Sequence, residues 1–539
     1  MRSRARLLVV AVALVCAVPL LPTAHARGPA VTPCDWSMYG YDAGRSFALP
    51  DGCSSVDVAT APTLHPKWVY PTPDSVTASP MVVGDTVYIG DWAGDFYALP
   101  ADPPPGQVTP RWTFHVDDTN GVAFGRIVST AAYVDVDGVH AVVFAGGATL
   151  YALDPSSGQE LGRICIDPRA DPAVRCHGSS GQVEIESSPA IVRRGNDTLL
   201  LVGMDVHNDQ NVARTGVVEL ALHGANNTIT FDPQWKFDPE NGGAAYHGDG
   251  LLTANAGSGT GCGGVWSSPA VDVERDLVFF GTSSCSVTGV TTGEHVWGVS
   301  LATGDQRWSY GPPRTSTRYD DDFGASPNLL PGGLVGIGSK DGWYYALDEM
   351  SGAPAWTTHV GESGHVFTDF AVGGVLGSSA TAPVNGQQLI FVTTAISTPL
   401  GAPLDDNPSL DQTLLQDPTR LFSLSALRAS DGAVVWRQPL SRQSYGAPTV
   451  VNGVVLVPST FDFSIGAYAA DTGLPLGSWP VGGAPSSSPT ASGNSVYVGA
   501  GTRTTDVEYK AFGADAASSV LGASPLSPLS GVWAFRAGI

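Results

Sequence analysis

The chain has few charged side chains, and two features among them could do chemistry. Charged residues make up 14% of the 539 residues. Asp320, Asp321 and Asp322 follow one another, and Lys340 is one of four lysines in the chain. Carboxylates accept protons and bind divalent cations, and an ammonium group binds anionic oxygens. The residues alone leave three readings open: a reactive site, a structural ion site and a solvated charged loop.

Cysteines are the second group with chemical potential. Cys16 lies inside an N-terminal apolar run, and the six cysteines that follow it form an even set. In an exported chain an even set indicates disulfide bonds. Proximity along the chain favours the pairs Cys34–Cys53, Cys165–Cys176 and Cys262–Cys285.

Several reactive motifs are missing from the sequence. Cys176-His177 would end a haem-attachment motif, but Ala173 stands where its first cysteine would be. We therefore expect no covalently bound haem. The sequence also has no zinc-type cysteine spacing, no serine-hydrolase elbow and no zinc-protease helix motif.

The N-terminus has the pattern of an export signal. Three arginines at positions 2, 4 and 6 precede the apolar run Leu7–Leu21, and Ala24-His25-Ala26 follows it. This order predicts a signal peptide cleaved near Ala26, because the run is shorter than the ~20 residues of a membrane span. We expect a secreted or periplasmic protein without a membrane span. The net charge of −23 makes nucleic acid an improbable partner.

A repeated unit explains the 65 glycines and 41 prolines. Each unit opens with a Ser-Ser-Pro-like element and a short strand. A tight turn, a β-branched strand ending in glycine, a third strand and a glycine turn follow. Repeated strand units of this length predict a propeller or a solenoid. The openings lie at Pro80, Thr130, Pro189, Pro269, Pro327, Ala380, Pro448 and Pro489.

The turn between the third and fourth strands is the most regular part of the unit. Ala346, Gly352 and Trp356 have the same spacing as residues 426, 432 and 436, and Gly298, Gly304 and Trp308 repeat it with glycine first. Glycine permits a tight hairpin turn. The large apolar tryptophan is suited to the wedge between neighbouring blades.

The two ends of the chain complement each other. The last unit ends with a third strand at Gly531–Phe535, and Lys67–Tyr70 reads as a fourth strand without the first three. Joining them predicts an all-β, eight-bladed β-propeller of four-stranded antiparallel blades, closed by an N-terminal strand. The predicted divisions are a signal peptide (1–26), a disulfide-linked leader (27–64) and the propeller (65–539).

The turn pattern A-x-D-x-x-S/T-G-x-x-x-W and the opening run Asp35–Asp42 resemble the pyrroloquinoline quinone (PQQ) repeat superfamily. That superfamily includes quinoprotein alcohol dehydrogenases and outer-membrane assembly propellers, and the chain looks most like polyvinyl alcohol dehydrogenase. The resemblance covers nearly all of the mature chain. It implies a possible PQQ cofactor with calcium.

The resemblance also carries individual roles to this chain. Trp266 matches the tryptophan that forms the floor under the quinone, and Lys340 matches a cation placed against the quinone oxygens. Asp321 or Asp322 matches the catalytic aspartate, and the two are not distinguished. Apart from the resemblance, Arg126, in the loop before the second blade, could face the carboxylate of a ligand and so bind the cofactor; the alternative is an ordinary surface arginine.

The metal ligands of the family are altered here. Ser284 stands where the family has a metal-binding asparagine, and a hydroxyl is the poorer ligand. No glutamate falls in register with the metal-binding glutamate of the third blade. Asp205 or Asp209, in the loop Met204–Gln210, could substitute for it.

These departures leave two main functions open. The first is an exported propeller that binds a ligand or a protein partner through a degenerate quinone site. The alternative is a PQQ- and calcium-dependent alcohol dehydrogenase of the polyvinyl alcohol type. It would oxidise a small or polymeric alcohol and pass electrons to a separate acceptor. A third reading is an assembly scaffold, which the lack of a lipoprotein-type cysteine disfavours.

Overall fold

The computed structural model describes residues 30–104, 108–117, 122, 125–167, 176, 182–207, 215–253, 260, 262–284, 292–313, 321–362, 374–395, 422–501 and 530–538. Within them, strands form eight sheets, each containing four antiparallel strands in meander order. The first strands of neighbouring blades contact each other and line a central channel. The predicted all-β, eight-bladed propeller is therefore confirmed.

The blades are numbered by the order of their first strands. Blade 1 comprises Met81–Val83, Thr86–Gly90, Asp95–Pro100 and Trp112–His115, and blade 2 comprises Ala132–Val136, Val139–Gly146, Thr149–Leu153 and Glu160–Cys165. Blade 3 comprises Ala190–Arg194, Asp197–His207, Gly216–Ala225 and Thr228–Phe237, and blade 4 comprises Ala270–Asp272, Leu277–Gly281, Val296–Ser300 and Gln306–Tyr310. Gln182–Glu184 and Tyr246–His247 extend blade 3.

The remaining blades follow the same order. Blade 5 comprises Asn328–Leu330, Leu334–Gly338, Trp343–Asp348 and Pro354–His359, and blade 6 comprises Ala380–Val384, Gln387–Thr393, Phe422–Arg428 and Val434–Leu440. Blade 7 comprises Thr449–Val451, Val454–Ser459, Ser464–Ala469 and Pro475–Pro480, and blade 8 comprises Thr490–Ser492, Ser495–Ala500, Gly531–Arg536 and His65–Pro71. Ala48–Leu49 pairs parallel with the first strand of blade 7. Short 3-10 helices are Ala61–Thr63, Pro239–Asn241, Leu251–Thr253 and Thr460–Asp462.

Blade 8 is completed by the N-terminal part of the chain. His65–Pro71 pairs antiparallel with Gly531–Arg536, and Trp68 lies opposite Ala534. The ring closure predicted from the two incomplete units is confirmed. The closure joins the two ends of the propeller and leaves no open edge between blades 8 and 1.

Tryptophans at the ends of fourth strands pack under the turn of the next blade. Gly352 has a φ of +69°, and a Cβ there would lie 2.5 Å from Trp308 Cε3 of blade 4. Trp308 Nε1 donates to the main-chain oxygen of Glu349 at 2.7 Å. Trp112, Trp235, Trp356 and Trp436 make the same kind of bond to the following blade. The repeated glycine and tryptophan therefore form the contact between blades, as the sequence predicted.

A ring of hydroxyl groups joins the blades where their first strands begin. The main-chain N–H of one opening residue donates to the hydroxyl of the next, in seven bonds of 2.8–3.1 Å. Ala447 has no hydroxyl, so the ring is interrupted between blades 6 and 7. The hydroxyl ring consists of Ser79, Thr130, Ser188, Ser268, Ser326, Ser378 and Ser488.

Residues 36–55 of the predicted leader pack along the channel of the propeller. We call residues 36–55 the axial segment, because it bonds to every blade in turn. Its main chain reaches blades 1, 2, 4, 5, 6, 7 and 8, and the side chain of Arg45 reaches blade 3. The main-chain contacts join Trp36 to Val82, Ser37 to Tyr133, Ala43 to Val271, Gly44 to Leu329, Ser46 to Thr381, Phe47 to Val450 and Ser55 to Gly493.

Two of the predicted disulfides are present. Cys34 is bonded to Cys53 and Cys165 to Cys176. Cys262 is also disulfide-bonded, and its predicted partner Cys285 lies outside the described residues. The predicted signal peptide lies outside them too, and the domain boundaries at residues 26 and 64 stay predictions.

No helix in the described part of the chain is long and apolar enough to cross a membrane.

Blade 3 buries an acid in its third strand. Glu219 is fully buried, and its nearest cation is Arg194 at 3.9 Å. Burial raises the pKa of Glu219 to about 8, and the charge of Arg194 opposes this shift only in part. The folded protein therefore favours the protonated acid at neutral pH.

We expect Gly352→Ala to destabilise the protein more than Gly195→Ala. Both glycines have positive φ, but a Cβ at position 195 meets nothing within 4 Å. Gly195→Ala should cost about 1–2 kcal/mol from backbone strain, and Gly352→Ala about 1–3 kcal/mol more from overpacking. Urea unfolding of both variants measures the difference. Equal losses would contradict the proposed packing against Trp308.

We expect Glu219→Gln to flatten the pH dependence of stability. Because the folded pKa is raised to about 8 from the ordinary value of 4.5, the stability contributed by the protonated acid is complete below pH 4.5 and is lost as the pH rises through 8. The loss approaches about 1.4 kcal/mol per pH unit for one proton. Unfolding measured from pH 5 to 9 should show a shallower fall in the variant. Parallel curves would mean that Glu219 titrates normally.

Candidate functional site

Blades 3, 4 and 5 bring most of the predicted site residues to one end of the channel, which we call the mouth. In a meander, the loops entering first strands and the loops joining second to third strands lie at the same end of the sheet. Trp266 and Asp322 precede the first strands of blades 4 and 5. Asp205, Ser284 and Lys340 lie at or just beyond the ends of second strands.

The centre of the mouth is a buried ion pair. Lys340 Nζ lies 2.7 Å from Asp322 Oδ2, and their side chains are 8% and 7% exposed. The main-chain nitrogen of Lys340 also donates to the main-chain oxygen of Asp322 at 3.0 Å. The main-chain nitrogen of Ser284 donates to Asp322 Oδ1. These bonds fix the carboxylate between blades 4 and 5.

Trp266 lies beside this pair. Lys340 Nζ is 5.6 Å from the centre of its ring, within the range of a cation–π interaction. A Cβ at position 324 would lie 1.7 Å from Trp266 Cη2. Only glycine at position 324 therefore lets the ring pack against the main chain that follows Asp322. The half-buried indole of Trp266 and the ammonium group of Lys340 are therefore neighbours at the mouth.

The structure separates the roles of the two candidate aspartates. Asp321 is held through its main chain, which accepts from Ser339 Oγ at 3.1 Å and donates to Glu294 Oε1 at 3.1 Å. Asp322, by contrast, is held through its carboxylate. Asp322 is thus the aspartate whose carboxylate is bonded to Lys340. Glu294 was missed in the sequence because nothing in the repeat marks that loop position.

Asp205 lies close to the same loops. Its Oδ1 and the hydroxyl of Ser283 both come within 3 Å of the point where a Cβ of residue 264 would stand. Glu184 is paired with Asp205 in the sheet register, and both side chains are buried. Glu184 was also missed, since it precedes the blade opening. Asp209 lies outside the described residues.

Arg126 occupies a different part of the ring. Its main-chain nitrogen donates to Trp92 O at 3.0 Å, and its main-chain oxygen accepts from Gly147 N at 2.8 Å. These contacts place it between blades 1 and 2, whereas Trp266 and Lys340 belong to blades 4 and 5. No described contact joins Arg126 to that pair.

A closed eight-bladed ring with a lysine, an aspartate and a tryptophan at its mouth has the architecture of the quinoprotein dehydrogenases. The chain belongs to this family, because the model of the glucose/ethanol/alcohol dehydrogenase β-propeller domain matches residues 36–363. A model of the outer-membrane protein assembly factor BamB matches residues 379–511.

Two characterised relatives are similar in sequence. A quinate/shikimate dehydrogenase (quinone) of Acinetobacter baylyi is 24% identical over 391 residues, which cover 62% of this chain and 45% of the relative. The chain thus spans less than half of that relative. A polyvinylalcohol dehydrogenase of a Pseudomonas species is 24% identical over 534 residues, covering 87% of this chain and 73% of the relative.

Solved structures with the same fold include a europium-containing methanol dehydrogenase. It superposes with a TM-score of 0.68 at 16% identity and covers 94% of this chain and 98% of that one. A quinohemoprotein alcohol dehydrogenase from Comamonas testosteroni gives a TM-score of 0.64 at 15% identity, covering 94% and 81%. At these identities the likeness concerns the fold.

We expect Lys340→Met to cost about 3–5 kcal/mol of stability, because it leaves Asp322 buried without its cation. Adding Asp322→Leu should recover much of this loss, since the double variant has no uncompensated charge. The matched control is Arg428→Met, which breaks an exposed pair with Asp431 of the same 2.7 Å length and should cost about 0–1 kcal/mol. Equal losses for the two single variants would contradict the buried pair.

Proposed function

We propose that the protein is an exported, PQQ-dependent alcohol dehydrogenase whose quinone binds at the mouth. The observation that carries the proposal is the buried Lys340–Asp322 pair beside the ring of Trp266. These are the three positions that the family resemblance connects with the cation, the base and the floor of the quinone site. The oxidoreductase relatives support the same reading.

The residues present suit a flat, anionic ligand. The half-buried indole of Trp266 offers an aromatic surface, and Lys340 offers a cation for carboxylate or carbonyl oxygens. Both lie in a region of low exposure, where an electrostatic contact is stronger than in water. Trp266 and Lys340 would hold the quinone, and the position of Arg126 makes it a candidate for a more distant carboxylate.

Asp322 would act as the general base. When bound, the quinone supplies an oxidant that takes two electrons from the alcohol carbon. The substrate hydroxyl must lose its proton in the same reaction, and an ionised carboxylate within hydrogen-bonding distance can accept it. Ser284 and Lys340 orient the Asp322 carboxylate, whereas Asp321 contributes through its main chain.

Calcium fits the described residues less well than the quinone does. The described part of the chain has no group of three or more His, Cys, Asp or Glu side chains that could hold a metal. Ca²⁺ takes 6–8 oxygen ligands, and Asp322 already bonds to Lys340 and Ser284. Asp205, Asp209 and Ser284 stay the predicted metal ligands, and we assign no step of the reaction to a metal.

Export and the partners belong to the same proposal. The disulfides Cys34–Cys53 and Cys165–Cys176 fit an oxidising compartment, in agreement with the predicted signal peptide. The substrate would be a small or polymeric alcohol, as the name of the polyvinylalcohol dehydrogenase relative suggests. A separate acceptor, secreted or periplasmic, would collect the electrons. Covalent haem is not part of the proposal, because the attachment motif is incomplete.

A second candidate function is a binding module without quinone turnover. It is favoured by the substitution at Ser284 and by the bonds that already occupy both oxygens of Asp322. In this case the mouth would take a ligand or a protein partner through the same lysine and tryptophan.

Adding PQQ and Ca²⁺ to the purified protein separates the two functions. The proposal predicts saturable quenching of tryptophan fluorescence and reduction of a dye with an alcohol. Trp266→Ala and Lys340→Ala should each weaken PQQ binding at least tenfold, about 1.4 kcal/mol. The dye assay should include both a primary alcohol and polyvinyl alcohol.

Two variants outside the mouth serve as controls. Trp356→Ala removes a tryptophan from the opposite end of blade 5, and Lys67→Ala removes a lysine that pairs with Asp102 at 3.1 Å. Both should keep the PQQ affinity of the parent protein. Binding without turnover would favour the second candidate, and no binding at high micromolar PQQ would refute the quinone site.

A further inference from the structure

The hydroxyl ring has unused donors on one side of the channel. Each hydroxyl accepts a main-chain N–H from the preceding blade. On the side of blades 5, 6 and 8, Ser326, Ser378 and Ser488 face the phenol of Tyr39. On the side of blades 1–4, the hydroxyls of Ser79, Thr130, Ser188 and Ser268 donate to no described atom, although each is at most 4% exposed.

A buried cation lies on that same side. Arg45 is 0% exposed, and its guanidinium donates to the main-chain oxygens of Pro269, Tyr39 and Ser188. A guanidinium has five N–H groups, so two remain after these three bonds. No described carboxylate forms an ion pair with Arg45. The negative charge of Asp42 raises the pKa of Arg45 without direct contact, and the Asp42 carboxylate itself accepts from the hydroxyl of Ser46.

Arg45 keeps its charge in this place. Burial lowers the pKa of Arg45 to about 10, and the neighbouring Tyr39 and Asp42 oppose the shift. At neutral pH the guanidinium is therefore protonated. A buried charge is costly unless an opposite charge or sufficient hydrogen bonds compensate it. Here three neutral carbonyls accept from the guanidinium, and its carbon lies 5.6 Å from the centre of the Tyr39 ring.

We propose that the channel binds a small monovalent anion beside Arg45, within reach of the hydroxyls of Ser188 and Ser268. These two serines are the ring members next to the carbonyls that hold the guanidinium. The anion would accept from N–H and O–H groups and would neutralise the buried charge. A halide, or a carboxylate as small as formate, has the required charge and size.

The surroundings argue against other ligand classes. The site offers donors and a positive charge, so it would repel a metal cation. The axial segment already bonds to every blade around this point, so we expect only a small ligand beside it. The proposal concerns the axis beside blades 3 and 4 and is independent of whether PQQ binds at the mouth.

Thermal unfolding of the full-length protein in sodium bromide tests the proposal. Ionic strength is held constant with sodium gluconate, whose anion is much larger than a halide or formate. We expect a saturable rise in Tm of about 2 °C or more, because a ligand of the folded state raises the melting temperature. Formate should act in the same way. A Tm that is the same in bromide and gluconate would overturn the proposal.

Matched variants locate the effect. Ser268→Ala and Ser488→Ala each remove one bond of the hydroxyl ring, from the nitrogens of Ser188 and Ala447. Only Ser268 adjoins Arg45, so Ser268→Ala should weaken the apparent bromide affinity about tenfold and Ser488→Ala should leave it unchanged. Equal weakening, or none in either variant, would contradict the site.

Crystals soaked in bromide provide a readout that does not depend on stability. An anomalous peak within hydrogen-bonding distance of the Arg45 guanidinium supports the proposal, and ordered water alone at that position overturns it. If Arg45→Met folds, its bromide-dependent Tm shift should vanish. Arg437→Met, at a half-buried arginine far from the axial segment in sequence, which donates to Ser425 Oγ at 3.0 Å, should keep the shift.

Discussion

The propeller depends on bonds made at its axis. Eight short first strands surround the channel, and the axial segment supplies a hydrogen-bonding partner for each blade. The hydroxyl ring adds direct bonds between consecutive blades. A buried main-chain group without a hydrogen-bonding partner costs stability. The first strands and the axial segment therefore depend on each other for their hydrogen bonds. The outer contacts of tryptophan with turn glycine then fix the angle between blades.

This arrangement explains why a small site can be built from distant parts of the chain. Asp322 is reached by the nitrogen of Ser284 from blade 4 and by the ammonium of Lys340 from blade 5. Each group projects from the end of a rigid strand, so the relative position of two blades sets the geometry of the mouth. Gly324 completes the arrangement by admitting the ring of Trp266.

The repeat made most of the fold predictable. Blade openings, turn glycines and tryptophans recur at fixed spacings, and the incomplete units at the two ends required each other. The position of Lys340 beside Trp266 also followed, because both stand at defined places in their blades. The path of the axial segment could not be predicted in this way. It occurs once, has no periodicity, and its contacts are made by main-chain atoms whose residue types carry little information.

The same limit applies to parts of the site. Glu184 and Glu294 lie in connections whose lengths differ between blades, so no spacing rule marks them. Which of the two aspartates has its carboxylate bonded to Lys340 depended on the local course of the main chain. The family could be predicted because its pattern recurs in many blades. The ligands at the mouth are single residues that no repeat predicts.

The pairing of Trp68 with Ala534 has a consequence for the order of folding. Synthesis from the N-terminus delivers the axial segment and the fourth strand of blade 8 first. The strand that pairs with this fourth strand arrives with the final residues. The fourth strand must therefore stay unpaired until then, and the completed domain forms only after the C-terminus is released. Such a long sequence separation between paired strands slows folding. The unpaired N-terminal strand must also stay soluble until its partner has been made.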